Sequence, residues 1–273
     1  MSIVRKHPLV SFFLLAYGLS WAYWIPMAVT GIRVGPGSHA SHFPGLIGPA
    51  LAAFIVTRFT RGKEGVSALA RRLVLVSRPV GRFFAYSLSP LIFLALAVVA
   101  ARAAQAPLPP LSDFGVYSGL PPLGLPVVVS LVLLGAFGEE TGWRGFALEP
   151  LQRRFGPAAG TLILGALWAA WHAPLFFIVE SYRAMTLPAI AFGFGFGICA
   201  GALVLSRVAH RTDGSVLAAA LWHAAYNMTS ATAAGRGVIA AVTTTAVMVW
   251  AIALLSGAAR HRTQSRLLVR SAA

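Results

Sequence analysis

Acidic residues are scarce in this chain, which has only 7 Asp and Glu against 22 Lys and Arg in 273 residues. All charged residues together amount to 11%, while 58% of the chain is hydrophobic and its mean hydropathy is +0.76. That balance excludes an ordinary soluble globular domain, whose charged fraction is about a quarter, and marks an integral membrane protein. Cysteine occurs once, at Cys199 within an apolar segment, so an intrachain disulfide and a cysteine metal cluster are both excluded, and the residue reads as packing. Also missing is a compact basic patch interleaved with exposed aromatics, so the formal charge of +15 does not point to nucleic acid. No internal repeat and no soluble domain is visible in the sequence.

What is present is a series of long apolar runs. A membrane-spanning helix needs roughly 20 apolar residues, and eight segments meet that length: 8–30, 43–59, 83–103, 124–148, 158–179, 187–208, 214–232 and 237–257. The expected fold is all-α, a polytopic membrane helix bundle of about eight transmembrane helices. The first run follows Arg5 and Lys6 as a signal peptide would, but it is long, contains Trp21, Trp24 and Pro26, and has no small-x-small cleavage site, so it reads as retained. Within the bundle the expected parts are 1–123, with helices one to three and a basic loop; 124–232, the functional core; and 233–273, the last helix and a basic tail.

Basic residues indicate orientation, because Lys and Arg collect in cytoplasmic loops. One alternate set of connections and the termini holds Arg5, Lys6, Arg58, Arg61, Lys63, Arg71, Arg72, Arg78, Arg82, Arg153, Arg154, Arg207, Arg211, Arg260, Arg262, Arg266 and Arg270, which is 17 of the 22. The opposite set holds Arg33, Arg102, Arg183 and Arg236. The expectation is a plasma (inner) membrane protein with both termini cytoplasmic. In the long basic loop, residues 66–76 read as an amphipathic interfacial piece, an extension of a flanking helix, or a solvated linker. The glycine-rich stretch FGFGFGICAG (192–201) lacks the spacing and strand context of a dinucleotide fingerprint. Gly193, Gly197 and Gly201 recur every four residues, which predicts close approach by a neighbouring helix.

Few strongly polar residues fall within the predicted helices: Glu139, Glu140 and Arg144 in the fourth, His172 in the fifth, and His223 with Asn227 in the seventh. Ionisable groups at membrane depth are costly, usually face the bundle interior and have partners, so each is a functional candidate. Glu140 and Arg144 are four apart and share a helix face, while Glu139 points about 100° away. That spacing predicts one paired, structural carboxylate beside one working carboxylate. Trp168 and His172 share a face, as do His223 and Asn227, and Pro174 predicts a kink beside His172. At 1.5 Å per residue, Glu139 and His223 lie about 13 Å from the inner ends of their helices and His172 about 21 Å along its own, which permits one shared pocket. The Asn227-Met228-Thr229 sequon at such depth is a chance match.

Together EETGWR (139–144), WAAWH (168–172) and HAAYN (223–227) resemble the glutamate-rich membrane protease family that includes the type II CAAX prenyl endopeptidases and the bacteriocin-processing enzymes. Its pattern is E-E-x-x-x-R, F-x-x-x-H and H-x-x-x-N on separate helices of a mostly eight-helix fold, and the likeness covers about 124–232, with Trp168 where the family often has Phe. The resemblance implies that Glu139 acts on water and that Arg144 fixes Glu140. It further implies that His172 holds the water or a metal, and that His223 and Asn227 steady the oxyanion.

Two arrangements fit these residues: zinc on Glu139, His172 and His223 with an open position, or a metal-free water activated by glutamate. The expected activity is that of an intramembrane endopeptidase, opening toward the cytoplasm and cleaving a membrane-associated or lipid-linked protein or peptide, with membrane lipids as its surroundings. A non-proteolytic scaffold or bacteriocin-immunity protein, and a proton-linked transporter, are the alternatives. The lack of repeated halves counts against the transporter.

Overall fold

The computed structural model describes residues 3–271, with side chains described through Gly257. The side chains of Arg260, Arg262, Arg266 and Arg270 therefore lie outside the described residues, as do residues 272 and 273 of the basic tail. The fold is all-α, and among the described residues only isolated bridges, no strands, accompany the helices. In chain order the helices of eight residues or more are α1 (Pro8–Val29), α2 (Gly48–Arg72), α3 (Val80–Ser87), α4 (Ser89–Ala103), α5 (Leu125–Gly142), α6 (Leu148–Phe155), α7 (Pro157–Trp171), α8 (Phe196–Arg211), α9 (Val216–Ser230) and α10 (Gly237–Ser271).

Six helical segments are long and apolar enough to cross a membrane, and α3 with α4, bent by 52°, makes a seventh. Pro90 accounts for the bend, since it has no N–H for the carbonyl of Tyr86; Ser89 Oγ donates to that carbonyl at 3.0 Å instead. The remaining predicted span is α9, only 15 residues and so about 22 Å long. It can be short because it is buried among its neighbours, with Ala218, Ala219, Ala220 and Trp222 almost fully enclosed, and a helix surrounded by protein need not match the lipid thickness. Its N-terminus is capped by Ser215, whose Oγ accepts from Ala218 N at 3.0 Å and donates to Leu75 O at 2.6 Å.

The basic loop resolves the choice among interfacial piece, extension and linker. Residues 66–72 continue α2 beyond a break at Gly62, whose φ of 67° is open to glycine. Pro174 does not kink a continuous helix. It ends one, with α7 stopping at Trp171 and a tighter turn over Ala173–Phe177 following.

Close approach occurs at other glycines than those expected. A Cβ at Gly193, Gly197 or Gly201 would meet nothing within 4 Å, so no helix packs on that stripe; these glycines line an open cavity. The tight crossing is instead between α5 and the start of α2. There a Cβ at Gly138 would stand 2.6 Å from Leu46 O, and one at Gly142 2.5 Å from Pro49 Cβ. Cys199 does pack, with its Cα 3.0 Å from where a Gly165 Cβ would be.

The bundle has two different ends. At one, the connections 30–42, 104–124, 178–188 and 231–236 are laced together by bridges between Val34 and Val179, Pro36 and Ser118, and Tyr117 and Thr232, and by an Arg236–Asp113 ion pair of 2.7 Å. At the other, Arg72 donates to Arg144 O, Gly145 O and Gly214 O at 2.7–2.9 Å, drawing the ends of α2, α5 and α8 together. Arg5 reaches Phe59 O there at 2.9 Å.

Candidate active site

The three predicted motif helices converge. Glu139, His172, His223 and Asn227, carried by α5, the end of α7 and α9, all line one cavity of about 860 Å³, whereas Glu140 and Arg144 stand behind its wall. Adjacent positions on a helix diverge by about 100°, and the two glutamates are separated accordingly. Glu139 faces the cavity at 5% exposure, and Glu140 is fully enclosed at 0%.

Glu140 is the anchoring carboxylate. Its Oε1 accepts from Arg144 Nη1 and from His223 Nδ1, both at 2.9 Å. Because Arg144 is also buried, at 2% exposure, the pair meets the requirement that a desolvated charge be matched. The guanidinium lies 4.6 Å over the Trp168 ring, a cation–π contact on a face that water does not reach. A π turn over Trp143–Ala147 follows Gly142 and leads on to α6.

Trp168 is the hub of the site. Its Nε1 donates to Glu139 Oε2 at 2.6 Å, its face meets Arg144, and its ring packs against His223 and His172 at 5.4 and 6.0 Å between centroids. The indole therefore restrains Glu139 while leaving Oε1 available to a ligand. A phenylalanine at this position would keep the packing and lose the donor.

Local backbone geometry sets the tautomers of both histidines. The backbone N–H of His172 bonds back to Ala169 O at 3.2 Å as α7 ends, and Trp168 O accepts the ring Nδ1 at 2.8 Å. A carbonyl only accepts, so Nδ1 carries the proton and Nε2 keeps its lone pair in the neutral ring. The same reasoning protonates His223 Nδ1 against the Glu140 carboxylate. Asn227 is half-buried one turn along α9, and its side-chain amide has no hydrogen-bond partner among the described residues.

Among the described residues no group of three or more His, Cys, Asp or Glu side chains is placed to hold a metal ion. Glu139 Oε2 accepts from the Trp168 N–H and His223 Nδ1 donates to Glu140, so Glu139 Oε1, His172 Nε2 and His223 Nε2 are the atoms of these residues left for a water or an ion.

His42 was not singled out by sequence reasoning. It lines the cavity just before α2, is 7% exposed, and its Nδ1 is buried without a partner. Desolvation by burial lowers its pKa from 6.5 to about 4. The only signal was its position in SHASHFPG, and that stretch reads as an ordinary polar loop. Tyr182 also lines the cavity, and burial, followed by the Glu139 charge, pushes its phenol up to about 12. It is thus a neutral hydroxyl in the cavity wall.

Residues 121–229 match the family model described as Type II CAAX prenyl endopeptidase Rce1-like. A relative described as CAAX prenyl protease 2, from Methanococcus maripaludis, is 31% identical over 104 residues, covering 37% of this chain and 38% of that protein. The matched stretch is thus little more than a third of the relative's length, and the family match takes in all six motif residues.

Proposed function

We propose that this integral membrane protein, whose residues 121–229 form an Rce1-like segment of the type II CAAX prenyl endopeptidase kind, is an intramembrane endopeptidase of the plasma membrane. The observation that carries the reading is convergence. A carboxylate, an imidazole with a fixed lone pair, and a second imidazole beside an unpaired amide face one apolar-walled cavity from three helices.

In the proposed reaction a substrate carbonyl enters the cavity with a water held between Glu139 Oε1 and His172 Nε2. Glu139 takes the water proton as the oxygen attacks the carbonyl carbon. The oxyanion receives hydrogen bonds from the Asn227 amide and, when its ring is doubly protonated, from His223 Nε2–H. Collapse of the tetrahedral species breaks the C–N bond, and Glu139 returns its proton to the leaving amine. Glu140 and Arg144 do not touch the substrate; they hold His223 in orientation, as Trp168 holds Glu139. No step is routed through a metal. Membrane-associated prenylated proteins or a peptide precursor are the substrate classes that the family likeness supports.

The test compares membrane proteomes of cells carrying wild type or Glu139→Gln, followed by cleavage of the accumulating precursor by purified protein in proteoliposomes. Wild type is expected to cleave and the variant to be inactive with unchanged helicity. Equal cleavage by both would remove Glu139 from the reaction, and a precursor that never accumulates would favour the scaffold alternative.

A further inference from the structure

The motif residues do not account for all the polar side chains of the cavity wall. His42, Tyr117 and Tyr182 also line it, each from a different connection, 30–42, 104–124 and 178–188. Neither phenol hydroxyl makes a hydrogen bond among the described residues, and neither does the His42 ring. The Glu139 charge acts on both phenols, and the His42 ring stands within electrostatic reach of His172. All three side chains therefore border the place where the reaction is proposed to occur.

Backbone bonds fix these side chains and leave their polar atoms free. Tyr117 sits on the bridge to Thr232, with Ala233 N donating to Val116 O at 2.9 Å beside it. The Tyr182 connection is tied to 30–42, since Val34 N donates to Ile178 O at 2.9 Å and Glu180 N to Val34 O at 3.0 Å. His42 is anchored through its carbonyl, which accepts from Trp24 Nε1 at 2.8 Å. Its ring fits because position 119 is glycine: a Cβ there would stand 2.6 Å from His42 Nδ1. Nδ1 is enclosed against that glycine, which leaves Nε2 as the ring nitrogen facing the cavity. Groups held in place before a ligand arrives lower the ordering cost of binding it.

We infer that His42 Nε2 and the hydroxyls of Tyr117 and Tyr182 hold the substrate backbone beside the scissile bond, by hydrogen bonds to its uncharged peptide N–H and C=O groups. That a bond in the held segment is cut rests on the endopeptidase reading. Burial raises both phenols and lowers His42 to about 4, so all three are neutral dipoles near neutral pH. A hydroxyl donates and accepts, and a neutral imidazole does one at each nitrogen, which suits the alternating donors and acceptors of a peptide. No Lys or Arg lines the cavity to favour an anion instead. A substrate displaces water from these groups, and a segment that failed to replace those bonds would bind more weakly.

The test measures binding to the full chain in detergent, with Glu139→Gln as the parent so that bound peptide persists. The probe is a pentapeptide of leucine, phenylalanine and alanine with a neutral fluorophore at its N-terminus and an amide at its C-terminus, read by fluorescence anisotropy. Tyr117→Phe and Tyr182→Phe each remove one oxygen, and each is expected to weaken binding by about 2- to 10-fold. Tyr23→Phe, whose hydroxyl donates to Ser41 O outside the cavity, should bind as the parent does. His42→Leu should weaken binding to a similar degree and His42→Gln, with a donor and an acceptor, should restore it, a rescue that a packing role would not show. Should His42→Leu fail to fold, the two tyrosine variants carry the test. No binding by the parent, or equal affinity in the parent and both tyrosine variants, overturns the assignment. Cleavage of the cellular precursor by wild type decides the endopeptidase reading separately: weaker binding in the variants without any cleavage by wild type keeps the holding residues and strikes the reaction.

Discussion

Replacing Trp168 by Phe removes a single N–H from the site while preserving an aromatic ring. In the native arrangement that N–H meets Glu139 Oε2 at 2.6 Å, with both residues almost enclosed at 4% and 5% exposure. A hydrogen bond to a charged acceptor contributes about 1.5–3 kcal/mol, so the variant is expected to lose about that much. Some of the loss will come from reduced packing of the smaller ring. A double-mutant cycle isolates the bond: Trp168→Phe, Glu139→Ala and the double variant are unfolded by SDS titration in mixed micelles, and a coupling of about 1.5–3 kcal/mol is expected. Trp24→Phe serves as control, because its Nε1 bonds to His42 O at 2.8 Å in an equally buried place without touching Glu139. On the precursor identified in cells, Trp168→Phe should lower kcat/KM by about 10- to 100-fold through loss of carboxylate positioning, whereas Trp24→Phe should leave it near wild type. Additivity within about 0.5 kcal/mol, or equal activity losses in the two tryptophan variants, would refute the claim that the indole holds the glutamate.

Glu140→Gln leaves Arg144 buried without its counter-charge, so destabilisation of about 3–5 kcal/mol is expected, read as loss of folded protein in detergent, while Glu139→Gln stays folded. The two glycine sets should separate: Gly138→Ala drives a methyl to 2.6 Å from a backbone carbonyl and costs about 1–3 kcal/mol, whereas Gly197→Ala enters open space and keeps the thermal midpoint. With a folded pKa of about 4 against 6.5 in the unfolded chain, His42 binds its proton first in the unfolded state. Its contribution to stability is therefore intact above about pH 6.5 and falls by up to about 3 kcal/mol as pH drops toward 4, and unfolding of wild type and His42→Gln across that window should show the difference.

The helices were legible because desolvation acts on runs of residues: an apolar stretch of about 20 residues has few alternatives to spanning lipid. Where the reading failed, the cause was a neighbour that the sequence does not name. Gly138 and Gly142 carry the same four-residue spacing as Gly193 and Gly197, yet only the first pair meets another helix. Pro174 was identified as a disruption, but whether it bends a helix or ends it depends on the partners of the neighbouring carbonyls, and here Leu175 N turns to His172 O while Trp21 Nε1 takes the carbonyl of Trp171 at 2.9 Å. His42 was missed because it precedes a helix in a polar stretch and becomes a cavity residue only when the connections fold over it.

By itself the sequence determined the all-helical membrane character, the shared helix face of Glu140 and Arg144, the divergence of Glu139, and the imbalance of basic residues between alternate connections. These follow from composition and the helical period, both of which act within one segment. Only the tertiary structure decided that Trp168 restrains Glu139, that His223 shares Glu140 with Arg144, and that the laced connections, not the basic ones, contribute to the cavity wall. Those are distances between side chains on different helices, and packing in three dimensions, not spacing along one chain, sets them.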